Sequence, residues 1–252
     1  MIDNTRLMTQ AALLRKRLNE DSSSPVDIFA LAQNIEKLTL VFYPFGENLS
    51  GMCIKGQEGN CLIAVNSAMT QGRQRFSLAH EFYHLYYDDS MVSVCAKQLD
   101  SGIGIERSAD MFASYFLMPD TALTELAEKY VSRNSGGPLE LNDVIRIEQY
   151  FGVSHQAAVY RLMHTPFLNR ERGEDYLTEA VRGRAEALGY SPALYRPLPE
   201  EKRYMTYGHY IDLARRLSAG GMISDGRYEE LLLEAFRSDL VYGDDGEGDV
   251  ID

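Results

Sequence analysis

The chain has 252 residues, 45% of them hydrophobic and 25% charged, with 37 acids against 25 bases. That is enough apolar material for one sizeable core or two small ones. The formal net charge of −12 excludes the basic footprint of a strong nucleic-acid binder. Six of the acids stand in residues 239–252, which hold no Lys or Arg, so the rest of the chain carries 31 acids against its 25 bases and is only mildly acidic. Cys53, Cys61 and Cys95 are an odd, sparse set that does not suggest a disulfide framework. None is paired at metal-ligand spacing, so they are read as structural. The first residues lack the apolar run of a signal peptide, and no stretch reaches the length of a membrane span, which gives the expectation of a cytoplasmic protein.

In chain order, residues 3–19 have helical apolar spacing (Leu7, Ala11, Leu14, Leu18), and DSSSP at 21–25 breaks it. Pro25 is expected to open a second helix with Val26, Ile28, Phe29, Leu31, Ala32 and Ile35 on its apolar face. LTLVFYPF (38–45), SGMCI (50–54) and CLIAV (61–65) are short apolar runs between Gly-containing breaks, which predicts three close strands in a small, largely antiparallel sheet. Helical character returns near residue 70 and runs to Asp89. After a connection containing SGIG at 101–104, a second helix is expected over 106–118, stopped by Pro119. Residues 120–131 read as another helix, and SRNSGGP (132–138) as a linker. The segment 141–163 reads as helix, tight turn, helix; 174–188 and 206–240 add three more helices, and the tail from Tyr242 is acidic and Gly-rich.

His80-Glu81-Phe82-Tyr83-His84 matches H-E-x-x-H. Residues four apart share one helix face, so both imidazoles can point at one ion, while Glu81 flanks the metal without coordinating it. This spacing suits a zinc ion that lowers the pKa of a water to about 7 and a carboxylate that takes the proton. Catalytic zinc usually has three protein ligands and one open position. Glu106 is the best third ligand, since it begins the next helix. Asp110 follows one turn later, placed to accept from the outer nitrogen of a metal-bound histidine. Ala109, Ala113 and Ser114 on that helix would let it approach closely. Asp88, Asp89 and His155 are the alternative third ligands. The motif alone would also suit a buried helix with two satisfied histidines among Phe76, Leu78, Phe82, Leu85 and Tyr86; the Glu-x-x-x-Asp on the following helix turns the reading toward one zinc ion per chain, with Mn or Fe as other ions for such a site.

Three blocks carry a resemblance to the ImmA/IrrE metallopeptidases: RQRFSLAHEFYHLYYDD (73–89), ERSADMFASYFLMP (106–119) and FGVSHQAAVYRL (151–162). The similarity covers roughly residues 25–165. It implies His80, His84 and Glu106 as zinc ligands and Glu81 as catalytic base; the family often has Asn where this chain has Asp110. It implies an α+β fold: a zincin-like core with a small sheet packed on helices and HExxH on a central helix, then a helix-turn-helix-like pair and a helical C-terminal region. The corresponding division is 1–131 peptidase, 139–172 helical pair, 173–241 helical region and 242–252 disordered acidic tail. The substrate the resemblance implies is a helix-turn-helix repressor encoded nearby, in stress response, mobile-element or toxin–antitoxin-like regulation.

Three other functions compete. Segment 141–163 could bind DNA, but residues 139–172 balance four bases (Arg146, Arg161, Arg170, Arg172) with four acids (Glu140, Asp143, Glu148, Glu171), which disfavours phosphate neutralisation. A partner-binding module or antitoxin without turnover would have no need of Glu81, although a fourth protein ligand would make a zinc site purely structural. A zinc hydrolase acting on another amide would use the same chemistry. The helices after 206 carry Tyr210, Leu213, Leu217, Tyr228, Leu231, Leu232 and Ala235 at helical spacing, which reads as core packing with a partner surface as the alternative.

Overall fold

The computed structural model describes residues 3–46, 48–96, 103–134 and 136–243. The first two residues of the SGIG stretch and the tail beyond 243 lie outside the described residues.

Helix α1 (Asn4–Arg17) is capped by Asp3, whose side chain accepts from the Arg6 backbone N–H, and buries Leu7, Ala11 and Leu14. The second helix is shorter than expected. Helix α2 covers only Ile28–Gln33 and is opened by Asp27, whose carboxylate accepts from the N–H groups of Phe29 and Ala30. The side-chain cap therefore sets the start three residues after Pro25.

The sheet has five strands in the order β4-β2-β3-β1-β5, where the sequence had suggested three. They are β1 (Leu38–Tyr43), β2 (Leu49–Lys55), β3 (Cys61–Asn66), β4 (Val92–Ala96) and β5 (Met205–Gly208). The sheet is largely antiparallel: β1 and β3 run parallel, and the other three pairings are antiparallel. Leu38, Leu40 and Phe42 alternate inward along β1, and Ile63, Ala64 and Val65 are buried in central β3. Strand β5 lies inside the segment read as helical; it joins β1 antiparallel, with Thr39 opposite Gly208. Gly208 has φ +83°, and a Cβ there would stand 2.5 Å from the Leu38 carbonyl oxygen, so only glycine lets the strand turn into the next helix at this distance.

Helix α3 (Gln71–Tyr87) lies against β2 and β3 and holds the H-E-x-x-H motif. Helix α4 (Ile103–Leu117) packs on α3 and α1, and begins three residues before the expected Glu106. The small-residue face works as the sequence suggested: Ala109 and Ala113 are fully buried, and between them Phe112 reaches Tyr83 at 5.6 Å between ring centroids. One turn on, Phe116 meets Phe82 edge-on at 5.8 Å. Arg15, itself buried, donates to the carbonyls of Phe116 at 2.6 Å and Asp21 at 2.7 Å, and so ties α1 to the C-terminal end of α4.

Helix α5 (Asp120–Arg133) leads to the pair α6 (Leu141–Phe151) and α7 (His155–Met163). The turn between them has Gly152 at φ +66° and Ser154 as N-cap, accepting from the Ala157 N–H. This turn sits directly on the start of α3: a Cβ on Gly72 would lie 2.8 Å from the Ser154 nitrogen. Arg75 reinforces the joint by donating to the Gly152 carbonyl at 2.8 Å. The remaining helices are α8 (Arg170–Leu177), α9 (Val181–Ala187), α10 (His209–Ala219), α11 (Asp225–Glu234) and α12 (Ser238–Tyr242). In α10 and α11, Ala214 and Leu232 are buried while Leu213 and Leu233 are exposed, so this region packs on the core only shallowly. No helix among the described residues is long and apolar enough to cross a membrane.

Candidate metal centre

His80 and His84 leave α3 one turn apart and both are buried. Their Nε2 atoms face each other at 3.1 Å. Glu106, in the first turn of α4, spans the pair, with one carboxylate oxygen 3.2 Å from His80 Nε2 and the other 3.4 Å from His84 Nε2. Each imidazole is held from behind. His80 Nδ1 lies 2.8 Å from Asp110 Oδ1, and His84 Nδ1 lies 2.8 Å from Asp88 Oδ2. With each Nδ1–H donated to a carboxylate, the two Nε2 atoms become acceptors that converge on a third acceptor, Glu106. Three converging acceptors need a cation between them.

Burial works against a charged His80, but the hydrogen bond it donates to Asp110, with Cys95 and Glu106 beside it, raises its pKa well above the usual value. For His84 burial prevails and the pKa is lowered. Glu106 is half-buried, yet the neighbouring histidines pull its pKa below the usual carboxylate range. A metal ion would displace the His80 proton, so its binding is coupled to pH.

Glu81 is fully buried, with the weakly hydrogen-bonding Cys95 thiol beside its carboxylate. Burial pushes its pKa up to about 7 against the favourable charge of His80. Strand β2 closes over it: a Cβ on Gly51 would come 2.8 Å from Glu81 Oε1. A carboxylate kept dry and near neutral pKa has the properties of a general base.

The sequence reading missed two residues. Cys95, expected to be structural, stands near the end of β4 and joins His80, His84 and Glu106 in one cluster, each offering a ligand atom within 4.8 Å of the others. Burial pushes its thiol up to about 12. Asp88 was weighed as a metal ligand, but it sits behind His84. Its i+4 spacing from His84 was the available signal. His155, the other alternative ligand, turns away from the cluster: its Nδ1 lies 2.6 Å from the buried Glu148 and its Nε2 lies 2.9 Å from the Tyr176 carbonyl oxygen.

A cleft of about 940 Å³ opens over the cluster. One wall is α3 and α4, with Phe76, His80, Glu106 and Met111; the other is α7, with Gln156, Tyr160 and His164. The helical pair therefore turns a polar and aromatic face toward the cluster, while Ala158, Val159 and Leu162 pack inward.

Two imidazoles, a carboxylate and a thiol gathered where α3, α4 and β4 meet, in a zincin-like α+β fold, form a cluster that could hold a metal ion. Residues 36–163, just over half of the chain, match the IrrE N-terminal-like domain family of M78 peptidases, and the chain belongs to that family. No curated protein matches the chain.

Proposed function

We propose that the chain is a zinc-dependent endopeptidase in which His80, His84 and Glu106 hold the metal and Glu81 is the catalytic base. The carrying observation is the convergence of His80 Nε2, His84 Nε2 and the Glu106 carboxylate within 3.1–3.4 Å, beside the fully buried carboxylate of Glu81. The donor set, two imidazoles and one carboxylate, suits zinc. When bound, the ion lowers the pKa of a water molecule to about 7 and polarises the scissile carbonyl. Glu81 accepts the proton of the attacking water and delivers it to the leaving amine. Asp110 and Asp88 keep both imidazoles in the tautomer that presents Nε2. Burial around Glu81 and the α7 wall keep bulk water from the base.

The substrate we favour is a folded regulatory protein, a helix-turn-helix repressor encoded near the peptidase, as the resemblance implies. An open cleft of about 940 Å³ is wide enough to admit a peptide segment. Direct DNA binding by α6 and α7 is disfavoured. The second helix, which would have to read a groove, spends His155 on Glu148 and Arg161 on Asp120, and turns Gln156 and Tyr160 toward the cleft.

Zinc per chain, measured by elemental mass spectrometry, tests the assignment. Wild type and Glu81→Gln should carry near-stoichiometric metal, and Glu106→Ala should lose most of it. Cleavage of a co-expressed neighbouring repressor should be blocked in Glu81→Gln. Wild type that takes up no metal when zinc is supplied would refute the peptidase reading, and metal retained in Glu106→Ala would refute the third ligand.

A further inference from the structure

The cluster offers four donor side chains, whereas catalytic zinc needs three. For bonds of about 2.0–2.3 Å, donor atoms around a tetrahedral ion stand roughly 3.3–3.8 Å apart. The ligand atoms of His80, His84, Glu106 and Cys95 all lie within 4.8 Å of one another, so side-chain adjustments of about 1 Å complete a tetrahedron. Cys95 is buried, as a thiolate ligand sheltered from solvent would be. A second observation points to the same space. Glu81, fully buried, faces His80, Glu106 and Cys95, and the Cys95 thiol stands at hydrogen-bonding position to its carboxylate. The group beside the base is thus a sulfur that also belongs to the ligand cluster.

The placement of Cys95 is specific. In the β2–β4 ladder Gly51 lies opposite Cys95, and the register slips between Leu49 and Gly51, next to it. Such a bulge re-aims a side chain and loosens the strand locally. The Ser50 hydroxyl donates to the Cys95 carbonyl at 3.0 Å and steadies the turn toward the cluster. Strand β4 is the sheet edge and is paired on one side only. Its outer residues Val92 and Val94 are exposed, 56% and 45%, so little packing holds it from outside. Edge elements with few buried contacts open at the lowest cost.

We propose that the Cys95 thiolate is a fourth zinc ligand that occupies the water position, so the resting protein is a closed, latent peptidase that opens when the end of β4 leaves β2. This rests on the metal assignment proposed above. Closing a site with a fourth protein ligand is what separates structural zinc from catalytic zinc; here the closing ligand is on the most easily displaced strand of the sheet. The Cys95 thiol would give its proton to solvent as the sulfur becomes a ligand and take one back from solvent on release, so the exchange needs no redox partner.

Cobalt(II) replacing zinc reports the coordination directly. Cobalt-loaded wild type should show a near-ultraviolet thiolate-to-metal charge-transfer band. The band should persist in Cys61→Ser and vanish in Cys95→Ala, with one cobalt per chain in all three. Acetohydroxamate, which needs a free position on the metal, should bind Cys95→Ala at least about tenfold more tightly than wild type, because the apparent affinity falls with the open fraction. A stoichiometric cobalt site without the band in wild type overturns the fourth ligand and leaves the peptidase assignment standing; this spectrum decides even if Cys95→Ala misfolds. A band with equal hydroxamate affinity in the two proteins overturns latency. Wild type that binds no cobalt overturns the metal centre itself, and this inference with it.

Discussion

Replacing Glu81 by Gln in metal-stripped protein isolates the cost of keeping a charge in a dry pocket. The carboxyl is fully buried, and its pKa is pushed from 4.5 to about 7 by burial. Below pH 4.5 the folded and unfolded chains both hold the proton, and the fold is at full strength. Between that pH and about 7 only the folded chain holds it, so stability falls as pH rises, and the loss is complete once the folded carboxyl ionises. At about 1.4 kcal/mol per pH unit, this interval amounts to about 3 kcal/mol. In a protein of this size that is roughly 6–12 °C in melting temperature. Gln has nearly the same shape and does not ionise, and its buried amide is as poorly bonded as the protonated acid it replaces. Wild type and Glu81→Gln should therefore be close in stability at pH 4.5, and the variant should be the more stable by about 3 kcal/mol at pH 8. Urea unfolding followed by circular dichroism in EDTA, at several pH values, measures the difference. Parallel pH profiles for the two proteins would refute the reasoning, because they would mean that the carboxyl is already solvated or paired.

Asp88→Asn should weaken metal affinity by about 10–100-fold, since the acceptor behind His84 Nδ1 at 2.8 Å loses its charge, and competition with a calibrated chelator gives the ratio. Unchanged affinity would mean that Asp88 serves only the Ser90 turn. Gly72→Ala is informative because two effects oppose. Alanine in a helix gains up to about 1 kcal/mol over glycine, but the added Cβ meets the Ser154 nitrogen at 2.8 Å, and overpacking typically costs about 1–3 kcal/mol. A net loss of about 1 kcal/mol is expected in thermal unfolding, and a stabilised variant would show that the joint between α3 and the helical pair gives way easily.

The H-E-x-x-H motif was legible because it is local: two imidazoles and a carboxylate fall within five residues of one helix, and spacing alone orients them. Glu106 and Asp110 were legible for the same reason, as a one-turn pair at the head of the next helix. Cys95 was not. It reaches the cluster through the pairing of β4 with β2, and strand pairing across a bulge leaves no mark in the spacing of ligands along the chain. Strand β5 was hidden for a related reason. It is four residues long, sits at the sheet edge, and runs straight into α10, so its residues read as the first turn of that helix. Pro25 misled in the other direction, because the carboxylate of Asp27 was the stronger start signal for α2.

The pairing of β1 with β5 also fixes an order of events during synthesis. Thr39 waits for Gly208, about 170 residues later, and at roughly 5–20 residues per second that delay is on the order of ten seconds or more. Every described residue of the metal cluster and its cleft, up to His164, leaves the ribosome within that interval. Throughout it one edge of β1 has no strand beside it, with Leu40 and Phe42 not yet sealed by the chain's last third. A nascent chain of this protein is thus a sticky edge carrying a nearly finished site, and chaperone demand should fall sharply once β5 emerges.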